Sequence, residues 1–99
     1  MIESDIGFEW STAKATINLR KHGVGFAEAE TVFADPTAYT QAGEAHSIDE
    51  SREWLIGYSE RNRLLVIAFV QRAPNRIRII SARLATRRER TIYEGRERT

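Results

Sequence analysis

Arginine dominates the groups in this 99-residue sequence that could do chemistry: thirteen of the fifteen basic side chains are arginine and two are lysine. Nine of them, Arg61, Arg63, Arg72, Arg76, Arg78, Arg83, Arg87, Arg88 and Arg90, fall within thirty consecutive residues that contain one acid, Glu89. A guanidinium is planar, stays charged at any relevant pH and donates two parallel hydrogen bonds, so it suits phosphate. The formal net charge of +1 conceals this concentration. Residues 1–50 carry three basic and nine acidic side chains, a net of −6, and residues 51–99 carry twelve and five, a net of +7. Two readings follow: a solvated basic face balanced by the acidic half, or a patch that meets an anionic partner.

The remaining inventory narrows the chemistry. With two histidines, no cysteine and no pair of carboxylates inside the sheet-forming segments, thiolate metal sites are excluded, and zinc and two-metal nuclease sites are poorly served. No metal or cofactor is expected. His46 stands in a polar stretch, whereas His22 ends a helical segment, where the dipole favours a cation. Trp10 and Trp54 suit a core, with Trp54 and Tyr58 offering a stacking surface if their strand face is open. Metal-independent RNA cleavage is compatible with such a set. The ribose 2′-hydroxyl is already present in the substrate, so the protein has to align it, move its proton and stabilise charge on phosphorus.

Positioning these groups falls to a short chain of elements. Ile6 to Trp10 can form an edge strand, and Ser11 is a helix N-cap. The first helix is predicted from Thr12 to about His22, closed by Gly23, with Ala13 and Ile17 on the inner face and Lys14 and Asn18 outward. Phe26, Ala29, Val32 and Phe33 predict a second helix ending at Asp35-Pro36. Thr37 to Thr40 can form a strand, and Gln41 to Ser51 reads as an exposed loop carrying His46. Trp54 to Tyr58, the apolar run Leu64 to Val70 and Arg76 to Ala82 predict three hairpin-linked strands, the apolar run in the middle and Asn62 in the first turn. Thr86 and Glu89 form a capping box that opens a last helix through Tyr93. The order implies an α+β domain: two N-terminal helices, a three- to four-stranded antiparallel meander sheet and a C-terminal helix over residues 1–99.

A hydrophobic content of 41% suits one compact domain, and the lack of cysteine means that its core must hold it without disulfides. No stretch approaches the roughly 18 apolar residues of a membrane span, and Met-Ile-Glu-Ser-Asp lacks the features of a signal peptide. A cytoplasmic protein without a membrane partner is the expectation.

Several segments in order resemble a known family. Phe8-Glu9-Trp10, Lys14, Asn18, Lys21-His22-Gly23-Val24, Phe26, Glu28-Ala29, Val32-Phe33 and Asp35-Pro36 are similar to the opening signature of the BrnT family of type II toxin–antitoxin ribonucleases. His46-Ser47, Arg52, Ile56-Gly57, Arg63-Leu64-Leu65-Val66, Arg78 to Arg83, Glu89-Arg90 and Tyr93 resemble its second half, so the likeness spans residues 8 to 94. Ser11-Thr12 stands where the family commonly has Asp-Pro, Gly25 where it has Ser, and Asn62 where it has Gly, all cap or turn positions.

The resemblance implies a RelE-like fold, endoribonuclease activity that inhibits translation, and neutralisation by a BrnA-like antitoxin. That antitoxin is a ribbon-helix-helix protein, through which operator DNA would be bound. On the motif positions, Arg63, Arg78 and Arg83 are expected to clamp phosphate, with Arg52 and His46 completing the catalytic set and His46 the one group of near-neutral pKa. Arg61, Arg72, Arg76, Arg87, Arg88 and Tyr93 are the further expected RNA contacts. Arg78 and Arg83 have opposite strand parity, so both reach one phosphate only if Arg83 lies beyond the strand or a bulge intervenes. The alternatives are a non-catalytic RNA-binding or adaptor module using the same patch, and a co-repressor that relies on its partner to bind DNA.

Overall fold

The computed structural model describes residues 6–42 and 52–96. The chain runs β1 (Gly7–Glu9), α1 (Thr12–His22), α2 (Phe26–Val32), β2 (Tyr39–Ala42), β3 (Arg52–Tyr58), β4 (Leu64–Ala73), β5 (Arg76–Leu84) and α3 (Arg87–Arg96). The strands form one five-stranded sheet in the order β1-β5-β4-β3-β2. The α+β class holds, but the sheet is mixed: β2 to β5 make the antiparallel meander, and β1 adds a parallel strand on β5, pairing Glu9 with Arg78. A parallel neighbour needs a long crossover, and here α1 to β4 supply it. Leu64 to Phe69 are buried at the centre of the sheet, as the unbroken apolar run requires.

Local signals set most boundaries. Ser11 Oγ accepts from the Lys14 N–H at 3.2 Å, and Gly23 closes α1 at φ 72°, where a side chain would be strained. Asn62 takes φ 63° in the β3–β4 turn. Thr86 and Glu89 exchange capping hydrogen bonds of 2.8 and 3.1 Å at the start of α3. Gly57 is required by a close approach: a Cβ there would lie 2.5 Å from the Cβ of Ala38 and 3.0 Å from Asp35 Oδ2.

Two cores lie on the two faces of the sheet. Under α1 and α2, Leu55, Leu65, Ile67, Phe69, Ile77, Ile79 and Ala82 meet Val24, Phe26, Ala29 and Val32. Under α3, Ile56, Leu64 and Val66 meet Tyr93, flanked by Tyr39, Trp54 and Tyr58. The orientation of α1 differs from the sequence expectation. Asn18 is buried, whereas Ile17 and Leu19 are 59% and 55% exposed. Its amide nitrogen donates to the carbonyls of Val24 and Ala82 at 2.9 and 2.8 Å, and its oxygen accepts from the Ala82 N–H at 3.2 Å. Asn18 thus pairs with β5 where β1 has ended, and satisfying three backbone groups outweighs the apolar stripe in orienting the helix.

Candidate functional site

Strand register decides which arginines share a face. On β3, Arg52, Trp54, Ile56 and Tyr58 alternate onto one face and stand opposite Val70, Ala68, Val66 and Leu64 of β4. Continuing to β5, Val66 pairs with Arg83, Ala68 with Ser81 and Val70 with Arg78. The register shifts between Ala68 and Phe69, where Ile80 is the extra residue of a β-bulge. That bulge removes the parity conflict and puts Arg78 and Arg83 on the same face as Arg52. α3 packs Tyr93 over Ile56, Leu64 and Val66. The other half of that face has Trp54, Ala68, Val70 and Ser81 as its floor and Arg52, Arg78 and Arg83 around it, with Arg76 and Arg72 toward β1.

Each of these arginines has a different electrostatic environment. Glu9 of β1 is shared by three: Arg78 at 3.1 Å, Arg76 at 3.5 Å and Arg72 at 3.9 Å. One carboxylate among three guanidiniums leaves an excess of two positive charges there. Arg83 makes two parallel bonds to Glu89, of 2.8 and 2.9 Å, and one to the Leu84 carbonyl at 3.2 Å. The Arg83 guanidinium is the largest influence that lowers Glu89 to a pKa of about 2, against a penalty from burial. Arg52 has no carboxylate partner among the described residues, and its buried Nε has no hydrogen-bond partner; nor does the buried Nε1 of Trp54.

The structure separates Arg63 from that group. Its Nε donates to Glu28 Oε2 at 2.9 Å and its Nη2 to Glu28 Oε1 at 2.5 Å and to the Gly23 carbonyl at 3.1 Å. Glu28 is buried in α2 and also accepts from Ser59 Oγ at 2.7 Å. Arg63 hydrogen-bonding lowers the Glu28 pKa more than burial raises it, and the Arg63 pKa is raised in turn. Arg63 therefore ties the β3–β4 turn to the α1–α2 layer, on the face opposite Arg78, and not to the phosphate set expected of it. Arg61 is exposed in the same turn, and Arg87 and Arg88 are exposed on the first turn of α3.

Tyr93 is a correction. It is fully buried, stacked on Tyr39 at 5.8 Å and edge-on to Tyr58 at 5.6 Å, and its hydroxyl shares a hydrogen bond with that of Thr37. A ring enclosed this way anchors α3 and is not available to stack on a base. His46 lies outside the described residues. Sequence reasoning gave Glu9 and Glu89 no role at the arginines, because an ion pair between β1 and β5 leaves no local pattern, and Glu89 was legible only as a cap.

Chemically, the guanidiniums of Arg52, Arg72, Arg76, Arg78 and Arg83 on this face suit an anion, with the half-buried Trp54 beside them. No helix among the described residues is long and apolar enough to cross a membrane.

Comparison with known proteins agrees with this fold. No curated protein matches the chain. Among solved structures, the ribonuclease toxin BrnT of Brucella abortus is similar, with a TM-score of 0.65 and 23% identity over 83% of this chain and 99% of that one. At that identity the likeness is one of fold. The model of the family described as the ribonuclease toxin BrnT of type II toxin–antitoxin systems matches residues 10–89, from the end of β1 into α3, and the chain belongs to that family.

Proposed function

We propose that this protein is a metal-independent endoribonuclease that inhibits translation in the cytoplasm, acting through the arginine face of the sheet. The observation that carries the reading is the bulge at Ile80, which brings Arg78 and Arg83 to the face that holds Arg52. RNA supplies its own nucleophile. The 2′-oxygen attacks the adjacent phosphorus, the bond to the 5′-oxygen breaks, and a 2′,3′-cyclic phosphate and a 5′-hydroxyl result. One proton leaves the 2′-hydroxyl and one reaches the departing 5′-oxygen. Arg52 and Arg78 stabilise the charge that gathers on the non-bridging oxygens, and Arg83 joins them by exchanging Glu89 for phosphate. Arg72 and Arg76, with Arg61, Arg87 and Arg88 at the periphery, hold the flanking backbone. His46 is the proposed proton carrier.

The protein partner of a type II toxin is an antitoxin. We assign it to the BrnA kind, a ribbon-helix-helix protein that binds operator DNA on behalf of the complex and covers the arginine face.

A non-catalytic RNA-binding module is the second reading, and one observation favours it. Among the described residues, the pKa values that move, those of Glu28, Asp35, Arg63, Arg83 and Glu89, all move away from neutrality, so none of these groups becomes a better proton carrier. Incubating the purified protein with RNA in EDTA distinguishes the two. Fragments ending in cyclic or 3′-phosphate support the enzyme; intact RNA of retarded mobility supports the binder.

A further inference from the structure

We infer that Trp54 is a phosphate-contacting residue of the RNA site, its indole N–H acting beside Arg52. This rests on the reading of the arginine face as the RNA surface, and it adds a neutral donor that the charge pattern does not reveal.

Three observations converge on it. Arg52 Nε and Trp54 Nε1 are both buried and both lack a hydrogen-bond partner. Buried N–H groups without acceptors are rare, and each is a place where a folded protein has left a bond to be made. The two residues are i and i+2 on β3, so they share a face, with backbones about 6.6 Å apart along the strand. Across the sheet from Trp54 stand Ala68 and then Ser81, two small side chains between the indole and the Arg78 and Arg83 side of the face.

The acceptor is an anion and not a solvent molecule, because of charge. The cavity of about 10 Å³ lined by Gln41, Trp54, Leu55, Ile56, Val66 and Glu89 is near the minimum size for one water. A water satisfies a neutral donor but brings no counter-charge, and Arg52 has no carboxylate partner among the described residues. Phosphate answers both, accepting from a neutral and a charged donor at once. Phenylalanine preserves the ring and its packing and deletes only the donor, so Trp54→Phe separates hydrogen bonding from stacking.

The test compares Trp54→Phe with the wild-type chain in cleavage of RNA in EDTA and in thermal unfolding. The expected result is at least a tenfold fall in kcat/KM, with a melting temperature equal to or above that of the wild type, since an unpaired buried donor has been removed. Cleavage at the wild-type rate would overturn the assignment and leave the indole to a water. Should the variant fail to fold, the wild-type chain still decides. It has two tryptophans. In a 15N-labelled sample, a 2′-O-methyl oligoribonucleotide, which cannot be cut, should shift the Trp54 indole N–H signal, assigned by its retention in Trp10→Phe, and leave that of Trp10 in place. An unmoved Trp54 signal at saturating oligonucleotide overturns the contact. Absence of cleavage by the wild type would remove the ribonuclease reading, while the signal shift would still report on the contact.

Discussion

Arg63 and Arg78 lie on opposite faces of one sheet and differ in what they face. Arg63 meets Glu28, a buried carboxylate held also by Ser59, with two hydrogen bonds to it and a third to the end of α1. Arg78 shares the half-exposed Glu9 with Arg76 and Arg72. In the first place the charges cancel and the geometry is closed, so the guanidinium acts as a cross-link between elements. In the second, positive charge exceeds negative and the donors remain in reach of solvent. An arginine is available to a ligand according to the carboxylates around it more than according to its place in a motif.

Substitutions at the two places should therefore have opposite signatures. The largest effect is expected from Glu28→Ala, which removes the acceptor shared by Arg63 and Ser59 and should lower the urea unfolding midpoint. An unchanged midpoint would put Arg63 in the same class as Arg78. Next comes Arg78→Ala: RNA cleavage should fall about 100-fold, near 2.7 kcal/mol in the transition state, with the unfolding midpoint unchanged. Arg63→Ala should do the reverse, lowering the midpoint while each folded molecule still cuts. If Arg63→Ala removes cleavage without lowering stability, the division between the faces fails.

A smaller effect belongs to the pair between them. Glu89 has a pKa lowered from 4.5 to about 2 by Arg83, so it adds stability that is complete above about pH 4.5 and is lost as pH falls toward 2. Because Arg83 and Glu89 are about a third exposed, the loss should be about 1–2 kcal/mol. The melting temperature should fall from pH 5 to pH 2.5 in the wild type and fall less in Glu89→Gln. The smallest effect should come from Glu9→Gln. Removing the anion shared by Arg72, Arg76 and Arg78 should tighten RNA binding about three- to tenfold at low salt, and raising the salt should shrink the gain. Weaker binding by this variant would mean that Glu9 orients the arginines and does not compete with phosphate.

The legible parts of the fold are those written in adjacent residues. Ser11, Gly23, Asn62 and the Thr86–Glu89 box each marked a boundary through its own backbone preference, and Leu64 to Phe69 marked the central strand. α1 was misread because its apolar residues form a helical stripe, while the buried residue is Asn18. Nothing near Asn18 in the sequence indicates that the edge of β5 needs a partner 64 residues away. The candidate site was legible as a composition and as a parity conflict that a bulge could resolve; its place at Ile80 was not, since any of several residues between Arg78 and Arg83 can carry it.

By itself, the sequence determined the segregation of charge, the caps and turns, the order of elements and the supply of arginine for a phosphate partner. These depend on side-chain type and on spacing of a few residues. Only the tertiary structure decided that β1 joins in parallel, that Ile80 brings Arg78 and Arg83 to one face, that Arg63 and Tyr93 serve the scaffold, and that Trp54 keeps a donor without an acceptor. Each of those depends on strand register and on which carboxylate or ring arrives from a distant segment. One shifted register turns a binding side chain to the other face, and a single buried carboxylate converts a binding arginine into a cross-link.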